Sequence, residues 1–250
     1  MEILFHGKVA KDINCEEYNE DAYAFSCEHS LIAVSDGATD SYDSKTLAEL
    51  VANQFIQNPN ITKDWIQILL EKYNTHHDYS SLSWSKQAAF ERGSFASLLG
   101  ASINYEEKTI NVISVGDSLA ILLDQNNYIK SYPYTTSEEF NQRPELFSSL
   151  FHHNNFTILD DFHSTHNTTW IFSEYLNPLL LCMTDAFGQW ILKNEENNTS
   201  VLDIVCNIRT IEQLQDLVMN ARADKDMKID DVTLILIDLN EKVERGLSIS

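Results

Sequence analysis

A chain of 250 residues with 38 acidic and only 17 basic side chains carries a formal net charge of -21. Such a surface repels nucleic-acid backbones and anionic membranes, so neither is an expected partner. Ordinary hydrophobic content (43 %) and the lack of any Pro/Gly/Ser-rich linker, repeat or low-complexity run make residues 1–250 read as one domain.

Apolar runs that suit buried strands recur along the chain. They cover Ala22–Ser26, Leu31–Ser35, Ser97–Asn104, Ile110–Val115, Leu119–Leu123, Leu179–Thr184 and Val232–Ile237. Helical spacing fills the gaps. Ser44 is placed to cap a helix that carries Leu47, Leu50, Val51 and Phe55, and Thr62 to cap one that carries Trp65, Ile66, Leu69 and Leu70. A helix through Ala88, Ala89 and Phe90 should end at Gly93, and residues 201–208 and 211–223 read as further helices. Turns at 105–108 and 124–127 join consecutive β-rich runs, which implies antiparallel pairing. The fold class expected is α+β, with helices covering a mainly antiparallel sheet core. Residues 131–167 stand apart as a polar, histidine-bearing excursion, a flap or an insertion, in which 137–151 has helical spacing despite Pro144.

Cys15, Cys27, Cys182 and Cys206 form no C-x-x-C pair, so reduced and mostly buried thiols are expected. The first residues lack a basic segment followed by an apolar one, and no apolar run approaches the roughly 20 residues of a membrane span. A cytoplasmic location is the matching expectation.

Acidic residues fall at the ends of these runs. Leu31–Ser35 leads into Asp36-Gly37, Ile110–Val115 into Gly116-Asp117, and Leu179–Thr184 into Asp185. Asp230-Asp231 precedes Val232, and Glu20-Asp21 precedes Ala22. In an antiparallel sandwich, strands of one direction end where those of the other begin, so these acids are expected along one edge. Clustered carboxylates repel unless a cation or a proton lies between them. Hard oxygen donors of this kind suit magnesium or manganese rather than zinc. The adjacent pairs His76-His77 and His152-His153 read as surface, since neighbouring residues do not share a helix face.

Six segments, in order, resemble the PP2C (PPM) family of metal-dependent protein phosphatases in its bacterial branch. They are residues 19–22 (Asn-Glu-Asp-Ala), 34–40 (Val-Ser-Asp-Gly-Ala-Thr-Asp), 92–97 (Arg-Gly-Ser-Phe-Ala-Ser), 115–118 (Val-Gly-Asp-Ser), 183–186 (Met-Thr-Asp-Ala) and 230–233 (Asp-Asp-Val-Thr). The resemblance implies an αββα sandwich and hydrolysis of phosphoserine and phosphothreonine in proteins, opposite a Ser/Thr kinase. It implies two Mg2+ or Mn2+ ions, with a third in some bacterial members. Asp36 would bridge two metals, with the carbonyl of Gly37 and Glu20 on the second and Asp21 in support. Asp185 and Asp230 would hold the first metal, and Asp117 with Asp185 a third; Asp36 and Asp185 would carry the catalysis. Gly37 would let the backbone approach a metal, and Ser94 and Ser118 would satisfy local backbone groups.

The chain departs from the family at four places. Where members carry an arginine before the Asn-Glu-Asp segment, it has Cys15, Glu16 and Glu17; Lys8 or Lys11 could substitute, without an arginine's bidentate fork, and Lys11 is the candidate phosphate ligand. Ala38 stands where eukaryotic members often have histidine, Asp185-Ala186-Phe187-Gly188 replaces Asp-Gly, and Asp231 replaces a frequent asparagine. These departures leave a non-catalytic binding or regulatory module on the same fold as the alternative reading, and a phosphohydrolase of small metabolites as a third.

Overall fold

Apolar runs without alternation call for strands covered on both faces. The computed structural model, which describes residues 1–39, 41–199 and 201–240, puts them in such places. The strands are β1 (Glu2–Val9), β2 (Ala22–Ser26), β3 (Leu31–Ser35), β4 (Phe95–Ala96), β5 (Leu98–Asn104), β6 (Thr109–Val115), β7 (Leu119–Asp124), β8 (Asn127–Tyr132), β9 (Phe147–Ser148), β10 (Asn167–Ile171), β11 (Pro178–Met183) and β12 (Val232–Asp238). The helices are α1 (Ser44–Gln57), α2 (Lys63–Thr75), α3 (Trp84–Arg92), α4 (Phe162–His166), α5 (Asp185–Glu196), α6 (Leu202–Cys206) and α7 (Ile211–Ala223).

Two five-stranded sheets, ordered β1-β12-β11-β7-β8 and β10-β6-β5-β3-β2, form the centre, and a short β4-β9 ladder lies beside them. Their described pairings are antiparallel. The hairpins expected at 105–108 and 124–127 join β5 to β6 and β7 to β8. Within β7, Leu119, Ile121 and Leu123 pack with α5, α6 and α7, whereas Ala120 and Leu122 join the layer between the sheets. Leu234 and Leu236 against Ile235 and Ile237 divide β12 in the same way. On the other sheet, Ala33 and Leu98 meet Leu47, Phe55 and Trp65 of α1 and α2, while Val34, Leu99 and Val112 face inward. A period of two on strands that are covered twice yields an αββα sandwich.

Some local expectations are corrected. Asp43, not Ser44, caps α1, accepting the Thr46 amide at 3.2 Å. Thr62 caps α2 and α3 ends at Gly93, as expected. Residues 137–151 form no α-helix: a 3-10 turn at Ser137–Asn141 gives way to extended chain through Pro144 into β9. Proline removes an amide donor and biases its predecessor away from helix. The excursion is tied to the core, with Phe147 and Phe162 only 0 % and 2 % exposed and Phe147 5.4 Å from the Trp65 ring. Cys182 and Cys206 are buried free thiols, whereas Cys27 is exposed and Cys15 partly so. No described helix is long and apolar enough to cross a membrane.

Candidate active site

At the end of β3 the backbone of Asp36 is held from two sides. Its amide donates to the Ser97 hydroxyl (2.9 Å), and its carbonyl accepts the Ser97 amide (2.8 Å). The Ser97 hydroxyl also meets that of Ser118 at 2.9 Å, so the segments around 97 and 118 together fix the start of the Asp36 loop. Ser94 does act on backbone, accepting the Asp43 amide at 2.8 Å. A Cβ on Gly37 would lie 2.9 Å from the Glu20 carbonyl and from Ser44, so protein packing alone demands glycine there. Gly116, at φ +112°, turns β6 into β7 and presents Asp117; a Cβ there would come within 2.4 Å of the Ser97 Cβ.

Asp36, Gly37 and Asp117 from one sheet and Asp185 and Asp230 from the other line a single cleft of about 230 Å³. Ala38, Thr39, Pro144, Leu146 and Lys228 complete it. Asp185 is the first residue of α5 and Asp230 precedes β12. Arg222 of α7 donates to the carbonyl oxygens of Ala10 (3.0 Å) and Asp230, which holds the Asp230 backbone in place. Asp40 lies outside the described residues.

Glu20 and Asp21 are placed differently. Glu20 lines a neighbouring cleft of about 340 Å³ with Lys11, Tyr42, Asp43, Ser44 and Lys45. Its carboxylate accepts Ser44 Oγ at 2.5 Å and Lys11 Nζ at 2.8 Å. Lys11, expected to meet a phosphate, thus has its ammonium on Glu20 and, at 3.3 Å, on Thr39. Asp21 is wholly buried: Oδ2 accepts the hydroxyls of Thr184 (3.0 Å) and Thr233 (2.7 Å), and buried Oδ1 has no hydrogen-bond partner.

Asp231, noted as a departure, has a structural use. Its two carboxylate oxygens accept the amides of Lys11 and Glu20, each at 2.7 Å. An asparagine offers one acceptor and turns an NH2 toward the other amide. Asp231→Asn is therefore expected to destabilise the fold by about 2 kcal/mol, the worth of one hydrogen bond to a charged group, read from urea unfolding.

Charge crowding shows in the acidities. Burial first, then the charges of Asp231 and Asp185, push Asp21 up to about 7 against its two threonine hydrogen bonds. Asp36 is raised well above the carboxylate range by burial and by Asp21, Asp185, Asp117 and Asp230. Asp117 is pushed up to about 6 by burial and Asp185. Burial also raises Asp185, opposed by Lys228. At Glu20 burial acts upward, but the hydrogen bonds from Lys11, Ser44 and Thr39 outweigh it and hold the carboxyl low.

Lys228 is the cleft residue that sequence reasoning missed. Its ammonium lies 3.0 Å from Asp185 Oδ2 and 2.8 Å from Asp230 Oδ2. The available signal was a lone lysine two positions before the Asp230-Asp231 pair. The donors fit a hard divalent cation in kind: carboxylates from four chain segments, the bare Oδ1 of Asp21 behind them, and acidities raised by mutual repulsion. Among the described residues, no three His, Cys, Asp or Glu side chains already surround one ion position. None of His76, His77, His152 and His153 lines the cleft.

Neither a protein-family model nor a curated protein sequence matches the chain. Solved structures do. A variant of a bacterial serine phosphatase superposes with a TM-score of 0.58 at 15 % identity, covering 94 % of this chain and 96 % of that one. The serine/threonine phosphatase of S. agalactiae gives 0.54 at 14 % identity over 94 % and 98 %. The serine/threonine phosphatase PstP/Ppp of Mycobacterium tuberculosis gives 0.53 at 15 % over 96 % and 100 %. At this identity the likeness is one of fold, and the chain has the αββα fold of the PP2C-like serine/threonine phosphatases.

Proposed function

We propose that this chain is a metal-dependent phosphomonoester hydrolase that dephosphorylates phosphoserine and phosphothreonine in proteins. The observation that carries this reading is the meeting of Asp36, Asp117, Asp185 and Asp230, from both sheets, in one open cleft. Asp185 and Asp230 would hold one Mg2+ or Mn2+, Asp36 would bridge it to a second shared with the Gly37 carbonyl and Glu20, and Asp117 with Asp185 would hold a third. When bound, the cations supply Lewis acidity that activates water and neutralises phosphate charge. The protein's own part is positioning. Ser97 and Ser118 hold the Asp36 backbone, Thr184 and Thr233 orient Asp21 behind the cleft, and Arg222 holds the chain at Asp230. Lys11, the candidate phosphate ligand, would serve a phosphate only after leaving Glu20.

The cleft beside Glu20 offers room for the residues that flank a phosphoamino acid. The substrate would be a phosphoprotein of the cytoplasm, opposing a Ser/Thr kinase. Within the 131–167 flap, Pro144 and Leu146 form a wall of the acidic cleft. Replacing residues 142–145 by a Gly/Ser loop is expected to alter kcat/KM among phosphopeptides about tenfold while a small aryl phosphate changes less than about twofold. Equal losses on both substrates would make the segment structural.

The reading is tested by phosphate release from an aryl phosphate and a phosphothreonine peptide, with Mn2+, Mg2+ or a chelator. Turnover that needs the metal supports it, and folded protein without turnover refutes it. One observation favours the second reading, a regulatory module that binds a phosphoprotein without cleaving it: Lys228 and Lys11 already form ion pairs with Asp185, Asp230 and Glu20.

A further inference from the structure

We propose that Lys228 is an internal counter-ion, seated on the Asp185–Asp230 pair in the metal-free protein, which must leave before a divalent cation binds there. The inference rests on the reading that these two aspartates hold a cation. Both contacts, 3.0 and 2.8 Å, have the length of charge-assisted hydrogen bonds, and both use the Oδ2 atoms. A magnesium ion held by the same two carboxylates would stand about 2.1 Å from its donor oxygens, next to where the ammonium lies. Two positive charges do not share that space.

The lysine is the movable member of the group. Its side chain is 53 % exposed, against 14 % for Asp185 and 28 % for Asp230, so it covers the carboxylates from the solvent side. It sits between α7 and β12, on a four-carbon stem with freely rotating bonds. The aspartates are fixed from behind. Asp185 begins α5, the Asp230 carbonyl is held by Arg222, and Asp231 is tied to two amides. Lys11 makes a similar contact on Glu20, but to one carboxylate only.

The consequence is a threshold for loading. When the competent form is a fraction of the molecules, the apparent dissociation constant rises by the inverse of that fraction, so a lysine seated nine times in ten weakens cation binding about tenfold. Cation level, rather than carboxylate affinity alone, then decides whether the cleft is filled.

The test is calorimetric titration of Mn2+ into metal-free wild type, Lys228→Met and Lys225→Met, the last an exposed lysine three residues away that controls for net charge. Lys228→Met is expected to bind Mn2+ about tenfold tighter than wild type or more, and Lys225→Met within about twofold of it. Metal-free Lys228→Met should also melt below metal-free wild type, with the difference removed by saturating Mn2+. Equal or weaker binding by Lys228→Met, or equal tightening by Lys225→Met, overturns the proposal and leaves the metal-dependent reading standing. No Mn2+ binding by any of the three, all folded by circular dichroism, overturns both.

Discussion

Asp36→Asn is expected to lower metal-dependent phosphate release about a thousandfold or more while raising the melting temperature of the metal-free protein. The two effects share a cause. Among the described residues nothing donates a hydrogen bond to the Asp36 carboxylate, and Asp21, Asp185, Asp117 and Asp230 all act to keep it protonated. An isosteric amide removes the cost of burying an acid that is ionised in the unfolded chain, and the backbone stays fixed through Ser97. About 1–2 kcal/mol of added stability, or about 3–6 °C, is the expected size in a chain of this length. The same change removes the proposed bridging ligand. A loss of about 4 kcal/mol of transition-state stabilisation corresponds to the thousandfold fall. Initial rates with Mn2+ and thermal melts in chelator measure the two halves. Full turnover in the variant would refute the proposed site, and a lower melting temperature would refute the crowding argument.

Raising the pH from about 5 to about 8 is expected to destabilise the metal-free protein by several kcal/mol. Asp21, pushed up to about 7, and Asp117, up to about 6, both start from 3.8 in the unfolded chain. Their folded forms bind more protons than the unfolded chain, so the stability they confer is complete below about pH 4 and is lost as pH rises through 6 and 7. For Asp21 alone, the roughly two units between pH 5 and about 7 correspond to about 3 kcal/mol; the coupled carboxylates do not add beyond that order. Glu20 runs the opposite way, its stabilisation being lost as pH falls below about 4, outside this window. Urea unfolding in chelator at pH 5, 6, 7 and 8 should show a falling midpoint, and saturating Mn2+ should flatten the profile. A flat or rising midpoint in chelator would contradict the crowded-carboxylate description.

The cleft acids are legible in the sequence because they border apolar runs. Asp36, Asp117 and Asp185 follow strands and Asp230 precedes one, and antiparallel order brings such positions to one edge. Largely apolar runs such as 119–123 and 232–237 mark the strands covered on both faces, and the helix boundaries at Thr62 and Gly93 are readable from local chemistry. Where the pattern is weak, the reading fails. β1 mixes polar and apolar residues at a sheet edge, β10 (167–171) opens on three polar residues before Trp170 and Ile171, and Pro144 breaks a helix that spacing alone suggests.

The division between sequence and tertiary structure follows the range of the forces involved. Hydrophobic period, caps and strand-end acids are local, so the chain by itself determined the layers and the ring of carboxylates. Long-range pairing decided the rest: Asp231 binding two amides, Asp21 buried between two threonines, and Lys228 reaching Asp185 from 43 residues away. Such contacts depend on which side chains the sandwich brings together and how much water it leaves them, and no local pattern encodes that.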